Sequence, residues 1–211
     1  CINPDGYVYN QTTNPSGGGN WRKNRKLNSG GSYGIDLNRN YSYKWGFDNV
    51  GSSPTQSSDT YRGTAAFSEP EIQVMRNFYN AKNVKTGINY HSYGNKCLHP
   101  NAFEAALNTN PELPFFTTIG NYLTTENGFQ VGNTYSTLQY TANGNAVDWM
   151  YFEQTSKIKC YNFTVEVGSS SDGFWPASSR ITPICNSNVD INLNMLRIST
   201  YHGLATQNGA T

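Results

Sequence analysis

The stretch KCYNFTVEVG, residues 159–168, reads as a β-strand that ends on a carboxylate. Tyr161, Phe163, Val165 and Val167 alternate with Cys160, Asn162, Thr164 and Glu166, so the two sets line opposite faces. Glu166 falls on the more polar face, near the strand's C-terminal end, just before the turn GSSSDG. A second strand pattern, VKTGINYH (84–91), reads as buried and ends on His91, with Ser92, Tyr93 and Gly94 following as a turn. KCLHP (96–100) fits a short neighbouring strand.

Helical patterns separate these strands. FSEPEIQVMRNFYNAKN (67–83) opens with Ser68 as N-cap and Glu71 three positions on, the spacing of a capping box, and then repeats Ile72, Met75, Phe78 and Tyr79 at helical spacing. PELPFFTTIGNYLTTENG (111–128) sets Leu113, Phe116, Ile119 and Leu123 on one stripe, with Asn127–Gly128 as the stop. NAVDWMYFEQ (145–154) reads as a short helix. NVDINLNMLRISTYHGLA (188–205) reads as a closing helix capped by Ser187 and Asp190. Alternating helices and strands predict an α/β layered domain. In open sheets of that kind the ligand crevice lies outside the carboxyl ends of the strands, so His91 and Glu166 would share one rim. A lone His and a lone Glu at strand ends are also ordinary hydrogen-bonding groups, and spacing alone favours that reading.

The chain has 211 residues, suited to one domain with a substantial core. Its formal net charge of +1, with only 14% charged residues, argues against a nucleic-acid or membrane partner. Its apolar runs are too short to span a bilayer, and the first residues lack a signal-peptide pattern. A leaning to Asn, Ser, Thr, Gly and Tyr, away from Lys and Glu, suits a secreted protein. Cys1, Cys97, Cys160 and Cys185 are too widely spaced for a zinc knuckle or a redox pair. Disulfides and buried free thiols are equally open, and Cys160 with Cys185 is the preferred pairing. Sequons occur at Asn10, Asn40 and Asn162, and chance matches are the better reading of them.

Residues 1–66 show no sustained periodicity, and neither a helix nor a strand is expected before the turns at Pro4–Gly6, Pro15–Gly19 and Gly30–Gly31. Irregular stretches that long are rare in compact domains unless they carry function. WRKNR (21–25) and GIDLNRNYSYKWG (34–46) place arginines and asparagines beside bulky aromatics. A guanidinium offers a planar fork for carboxylate oxygens, and Asn38 beside Arg39 adds a neutral donor. The bland alternative is a solvated loop with cation–π contacts.

Taken in order, NPDGY, WRKNR, GIDLNRNY, YRG…FSEPE, INYHSYG, YTANGNAVDW and FTVEVG resemble the zinc metallocarboxypeptidases of the carboxypeptidase A type, from Asn3 to about residue 200. The resemblance implies a three-layer α/β/α sandwich around a mixed sheet and cleavage of the last residue from peptides. It implies His91 as a zinc ligand, Arg22 as the group that polarises the scissile carbonyl, and Asn38 and Arg39 as the clamp on the substrate's terminal carboxylate. Tyr140 matches the mobile tyrosine that closes over the substrate, Glu166 the general base, and Tyr93 and Phe174 aromatic residues of the cleft. In such a site zinc is a Lewis acid that lowers the pKa of a bound water towards ~7, and the glutamate takes the proton.

The resemblance also implies two further zinc ligands in a His-x-x-Glu motif ahead of NPDGY. The three histidines, His91, His99 and His202, are followed at that spacing by Gly94, Ala102 and Ala205, so the motif is absent from this sequence. The chain is therefore expected to be a catalytic domain, 1–211, lacking its N-terminal part, and on its own to hold no catalytic zinc and to be inactive. Val147 aligns with the floor of the pocket for the departing side chain, with Asn145 and Thr164 nearby. None is ionic, which favours apolar or aromatic C-terminal residues. Two alternatives remain: a non-catalytic module that grips peptide C-termini, and an amidase of the same family that trims cell-wall peptides.

Overall fold

Four strands form one mixed sheet, and the strand that carries Glu166 is central to it. The structure, a computed structural model, describes residues 1–106 and 110–208, the last eight as main chain only. The strands are β1 (Thr86–Ser92), β2 (Lys96–His99), β3 (Gln130–Asn133) and β4 (Tyr161–Val167), in the order β1-β4-β2-β3. β4 runs parallel to β1 and antiparallel to β2, and β2 runs parallel to β3.

Helices cover both faces. On one, Phe163 and Val165 of β4 pack with Phe116 and Leu123 of α3 (Leu113–Leu123) and Ile191 and Met195 of α7 (Val189–Asn208). On the other, Cys160 joins Ile72 and Tyr79 of α2 (Pro70–Ala81) and Trp149 and Met150 of α5 (Ala146–Phe152). The expected α/β/α layering is present. The face of β4 read as polar is buried as well: Asn162, Thr164 and Glu166 are all under 9% exposed. β1, at one end of the sheet, is half-buried rather than buried, and Tyr90 is exposed.

Phe116 is the largest apolar contributor from α3. It is fully buried, with ring centroids 4.9 Å from Tyr151 and 5.5 Å from Phe163. Phe116→Ala is expected to cost about 3–5 kcal/mol, read as a lower urea midpoint with an unchanged slope. A loss under about 1 kcal/mol would show that the site collapses around the void.

Several local expectations need correction. The N-cap of α2 is Glu69, not Ser68, and no side chain caps it; the Ser68 hydroxyl donates to Glu69 Oε1 at 2.8 Å, so the capping box does not form. Ser187 closes α6 (Ser178–Asn186), donating to Ile184 O, instead of opening α7. α3 stops at Leu123, before Asn127–Gly128, where Gly128 takes φ +65° in the following turn. β3, α4 (Thr134–Leu138) and α6 were not foreseen. Nor was α1 (Pro4–Thr13), a helix inside the stretch expected to be irregular. The preferred disulfide is not formed: Cys160 is buried in the core, Cys185 is exposed, and both are free.

The rest of the first third is held by isolated backbone bridges, Leu27 with Tyr33 and Ser53 with Tyr61, and by side-chain amides. Asn40, fully buried, accepts from Glu69 N and donates to Arg62 O, Ala65 O and Ser68 Oγ. Asn24 Oδ1 accepts from Ile35 N at 2.8 Å while its Nδ2 donates to the buried Glu69 carboxylate. Asn10, Asn40 and Asn162 are all buried, so the three sequons present no acceptor in the folded chain.

Candidate active site

The parallel register of β1 and β4 sets His91 directly beside Glu166, both at the carboxyl ends of their strands. His91 Nδ1 stands 3.9 Å from Glu166 Oε1. Burial pushes the Glu166 carboxyl up to about 7, opposed by the Arg22 guanidinium. Burial pushes the His91 imidazole down to about 4; Asp36 opposes this, while Arg22 and Arg39 add to it.

The irregular first third supplies the cations. Asp36 opens a 3₁₀ turn over Leu37–Arg39, its Oδ1 accepting from Asn38 N at 3.0 Å. Its Oδ2 lies 2.8 Å from Arg22 and 3.9 Å from Arg39. That oxygen is buried, and its contact with Arg22 is a short ion pair. Asp36 is the member of the cluster that sequence reading left without a role. Its signal was there, since Asp two residues before Asn38 is the Asx pattern that caps a tight turn.

Arg39 is 4% exposed. Its Nε donates to Gly51 O at 2.7 Å and its Nη1 to Asn38 O at 2.8 Å. Among the described residues no protein acceptor faces its Nη2. Asn38 Oδ1 accepts from Ala146 N at 2.9 Å, which ties the turn to the start of α5 and leaves the Asn38 amide NH₂ for another partner. Arg22 is 44% exposed at its side chain, with Asp36 raising its pKa most. Tyr140 follows Gln139, whose φ of +60° ends α4 sharply. Its half-exposed phenol feels Glu166, Arg39, Arg22 and Asp36.

Arg22, Asn38 and Arg39 thus gather around Asp36, His91 and Tyr140 are electrostatically coupled to it, and Glu166 joins them through His91 and Arg22. Tyr93 and Phe174 form a ring pair at 4.8 Å, with Ser92 Oγ donating to Phe174 O. Val147 is buried with Ala102 and Ala142. An acid does follow it in sequence, but the Asp148 oxygens accept from the Ala102 and Phe103 amides and from Asn145 Nδ2, so that carboxylate is committed to the fold. An apolar groove of about 580 Å³ opens at the other ends of the strands, beside Thr86 and Tyr161, and no group of this cluster lines it.

A catalytic zinc takes three protein ligands and one open position. Among the described residues no three His, Cys, Asp or Glu side chains come together as a metal-binding group. His91 and Glu166 alone do not fit the ion.

The zinc carboxypeptidase family model (peptidase M14) matches residues 1–191. Zinc carboxypeptidase A 1 of Anopheles gambiae is 32% identical over 211 aligned positions, covering 95% of this chain and 46% of that protein. Carboxypeptidase B of Bos taurus is 34% identical, covering 87% and 43%. The chain spans about half the length of the curated relatives it matches. Bovine thrombin-activatable fibrinolysis inhibitor, solved with a tick carboxypeptidase inhibitor, superposes with a TM-score of 0.81 at 27% identity, covering 95% of this chain and 68% of that one. Carboxypeptidase A from Helicoverpa armigera superposes with a TM-score of 0.74 at 25% identity, covering 93% and 49%.

Proposed function

Because this chain belongs to the zinc carboxypeptidase family, we propose that it is the larger part of a catalytic domain that removes apolar or aromatic residues from peptide C-termini. The observation that carries this reading is one cluster in which Arg22 and Arg39 flank Asp36, Glu166 stands beside His91 at the carboxyl ends of β1 and β4, and Tyr140 is coupled to Glu166, Arg39, Arg22 and Asp36. Arg39 and the Asn38 amide hold the terminal carboxylate, and Tyr140 closes over it. Arg22 takes up charge on the scissile carbonyl oxygen. Glu166 takes a proton from the attacking water and returns it to the leaving amine. Zinc enters through the family alone, and His91 would be one of its ligands. The others would come from residues outside this sequence, which has no His-x-x-Glu. The composition supports an extracellular setting, and no described helix is long and apolar enough to cross a membrane.

The pocket tests the substrate class. Val147, Asn145 and Thr164 carry no charge, so a Lys or Arg side chain would be buried there unpaired. With the full-length protein, blocked peptides ending in Phe, Tyr or Leu are expected to exceed those ending in Arg by well over about tenfold in kcat/KM. Val147→Asp is expected to swing the preference towards basic ends. Comparable values for both classes would refute the apolar pocket. Cleavage confined to cell-wall peptides would favour the amidase, and tight binding of peptide C-termini without turnover would favour the non-catalytic module.

A further inference from the structure

Helix α1 is seated only partly by apolar contact, through Tyr7 against Trp175 and Tyr9 against Trp21. Its buried residues are Gly6 and Asn10. Both ends of the helix also grip the main chain that carries Arg22. Asn3 caps α1, its Oδ1 accepting from Gly6 N at 3.1 Å, while its Nδ2 donates to Arg22 O at 3.0 Å and Lys23 O at 3.1 Å. Two turns on, Asn10 Oδ1 accepts from Trp21 N at 3.0 Å and its Nδ2 donates to Trp21 O at 2.7 Å, much as a paired strand would.

Two glycines leave room for these amides. A Cβ on Gly6 would stand 2.8 Å from Lys23 O and would also collide with Asn3 Nδ2; one on Gly19 would stand 2.7 Å from Asn10 Oδ1. Neither glycine takes a positive φ, so close approach is what calls for glycine at both positions. The Arg22 side chain, nearly half exposed, ends in an ion pair with Asp36 Oδ2 at 2.8 Å. Its guanidinium is therefore placed by two things together, the Asp36 contact at its tip and the anchoring of its main chain.

We infer that Asn3 and Asn10 are positioning residues for Arg22, clamping Trp21–Lys23 so that the guanidinium reaches the scissile carbonyl. The inference rests on the role proposed for Arg22 above. It also explains the fate of the Asn10-Gln11-Thr12 sequon: the Asn10 amide nitrogen is already a donor in the clamp, and a glycan there would break it.

In the full-length protein, Asn10→Ala is expected to lower kcat on a blocked peptide about ten- to a hundredfold, with KM within about twofold, because a displacement near 1 Å is enough for such a loss. Combined with Arg22→Ala, it should add almost nothing to the loss that Arg22→Ala causes alone. Equal proportional losses in both backgrounds would overturn the inference, since they mark a role that does not pass through Arg22. An Arg22→Ala variant with wild-type kcat would overturn the role of Arg22 itself, and the clamp with it. If Asn10→Ala does not fold, Gly19→Ala and Asn10→Asp repeat the cycle. The first crowds Asn10; the second keeps the acceptor for Trp21 N but sets a carboxylate against Trp21 O. Both are expected to be non-additive with Arg22→Ala, and additive losses overturn the inference.

Discussion

Glu166→Gln, made in the full-length protein, is expected to lower kcat about 10³-fold while zinc content and folding stay at wild-type levels. The substitution keeps shape and hydrogen-bonding capacity but removes the one function assigned to the residue, taking and returning a proton. The position suits that function. Glu166 ends a strand whose two faces are buried, and in this metal-free chain burial raises its carboxyl to about 7. The Arg22 guanidinium keeps the ionised form within reach. Zinc should stay because the carboxylate is assigned to water and not to the metal. Single-turnover kinetics on a blocked peptide, with metal analysis of the same preparation, checks both halves. A variant that keeps most of its turnover would remove Glu166 from the chemistry. One that loses its zinc along with its activity would make Glu166 a ligand.

The sheet and the helices that pack on it were legible because each carries a period. The alternation in 159–168 and the apolar stripe through Phe116 and Leu123 need no partner to be read. α1 was not legible, since a helix whose buried face is a glycine and an asparagine has no apolar period to detect. β3 is too short to establish one, at four residues. The caps failed for a related reason. Ser68 and Ser187 both have plausible spacing, but each hydroxyl goes to a nearer neighbour, Glu69 for one and Ile184 for the other. The disulfide choice failed because cysteine spacing says nothing of depth, and Cys160 lies in the core while Cys185 lies outside it.

The candidate site divides along the same line. His91 and Glu166 stand out because each ends a strand, and their pairing follows from a parallel register that the sequence does not state. The arginines stood out as a type, a planar fork beside asparagines in a loop. Which of them would meet Glu166 came only from the family resemblance. Asp36 went unassigned because its Asx spacing marks only a turn, and its place as a buried acid between two arginines is visible only once the 21–25 and 34–39 segments have been brought together.

The proposed preference for chain ends is expected to rest on Arg39. Two of its nitrogens are spent on the fold, Nε on Gly51 O and Nη1 on Asn38 O, which fixes the plane of the guanidinium and leaves Nη2 for a substrate. A group so immobilised loses little further entropy when it binds a carboxylate, and a charged hydrogen bond made away from water is among the stronger ones. Arg39→Met is therefore expected to lower kcat/KM for free-acid peptides by a factor of about 10²–10³, corresponding to roughly 3–4 kcal/mol. The same change takes the Nη1 donor from Asn38 O and leaves Gly51 O with only Asn143 N at 3.4 Å, at a cost of about 1–3 kcal/mol in stability, so a drop in activity alone would be ambiguous. The ratio of rates on a free-acid peptide and its C-terminal amide is not, because both are measured on the same folded fraction. Wild-type protein should favour the acid strongly, Arg39→Met should bring the ratio close to one, and Arg39→Lys should restore part of it through charge without the fork. A ratio unchanged in Arg39→Met would move carboxylate recognition elsewhere in the cluster, with Arg22 the nearest remaining cation on Asp36.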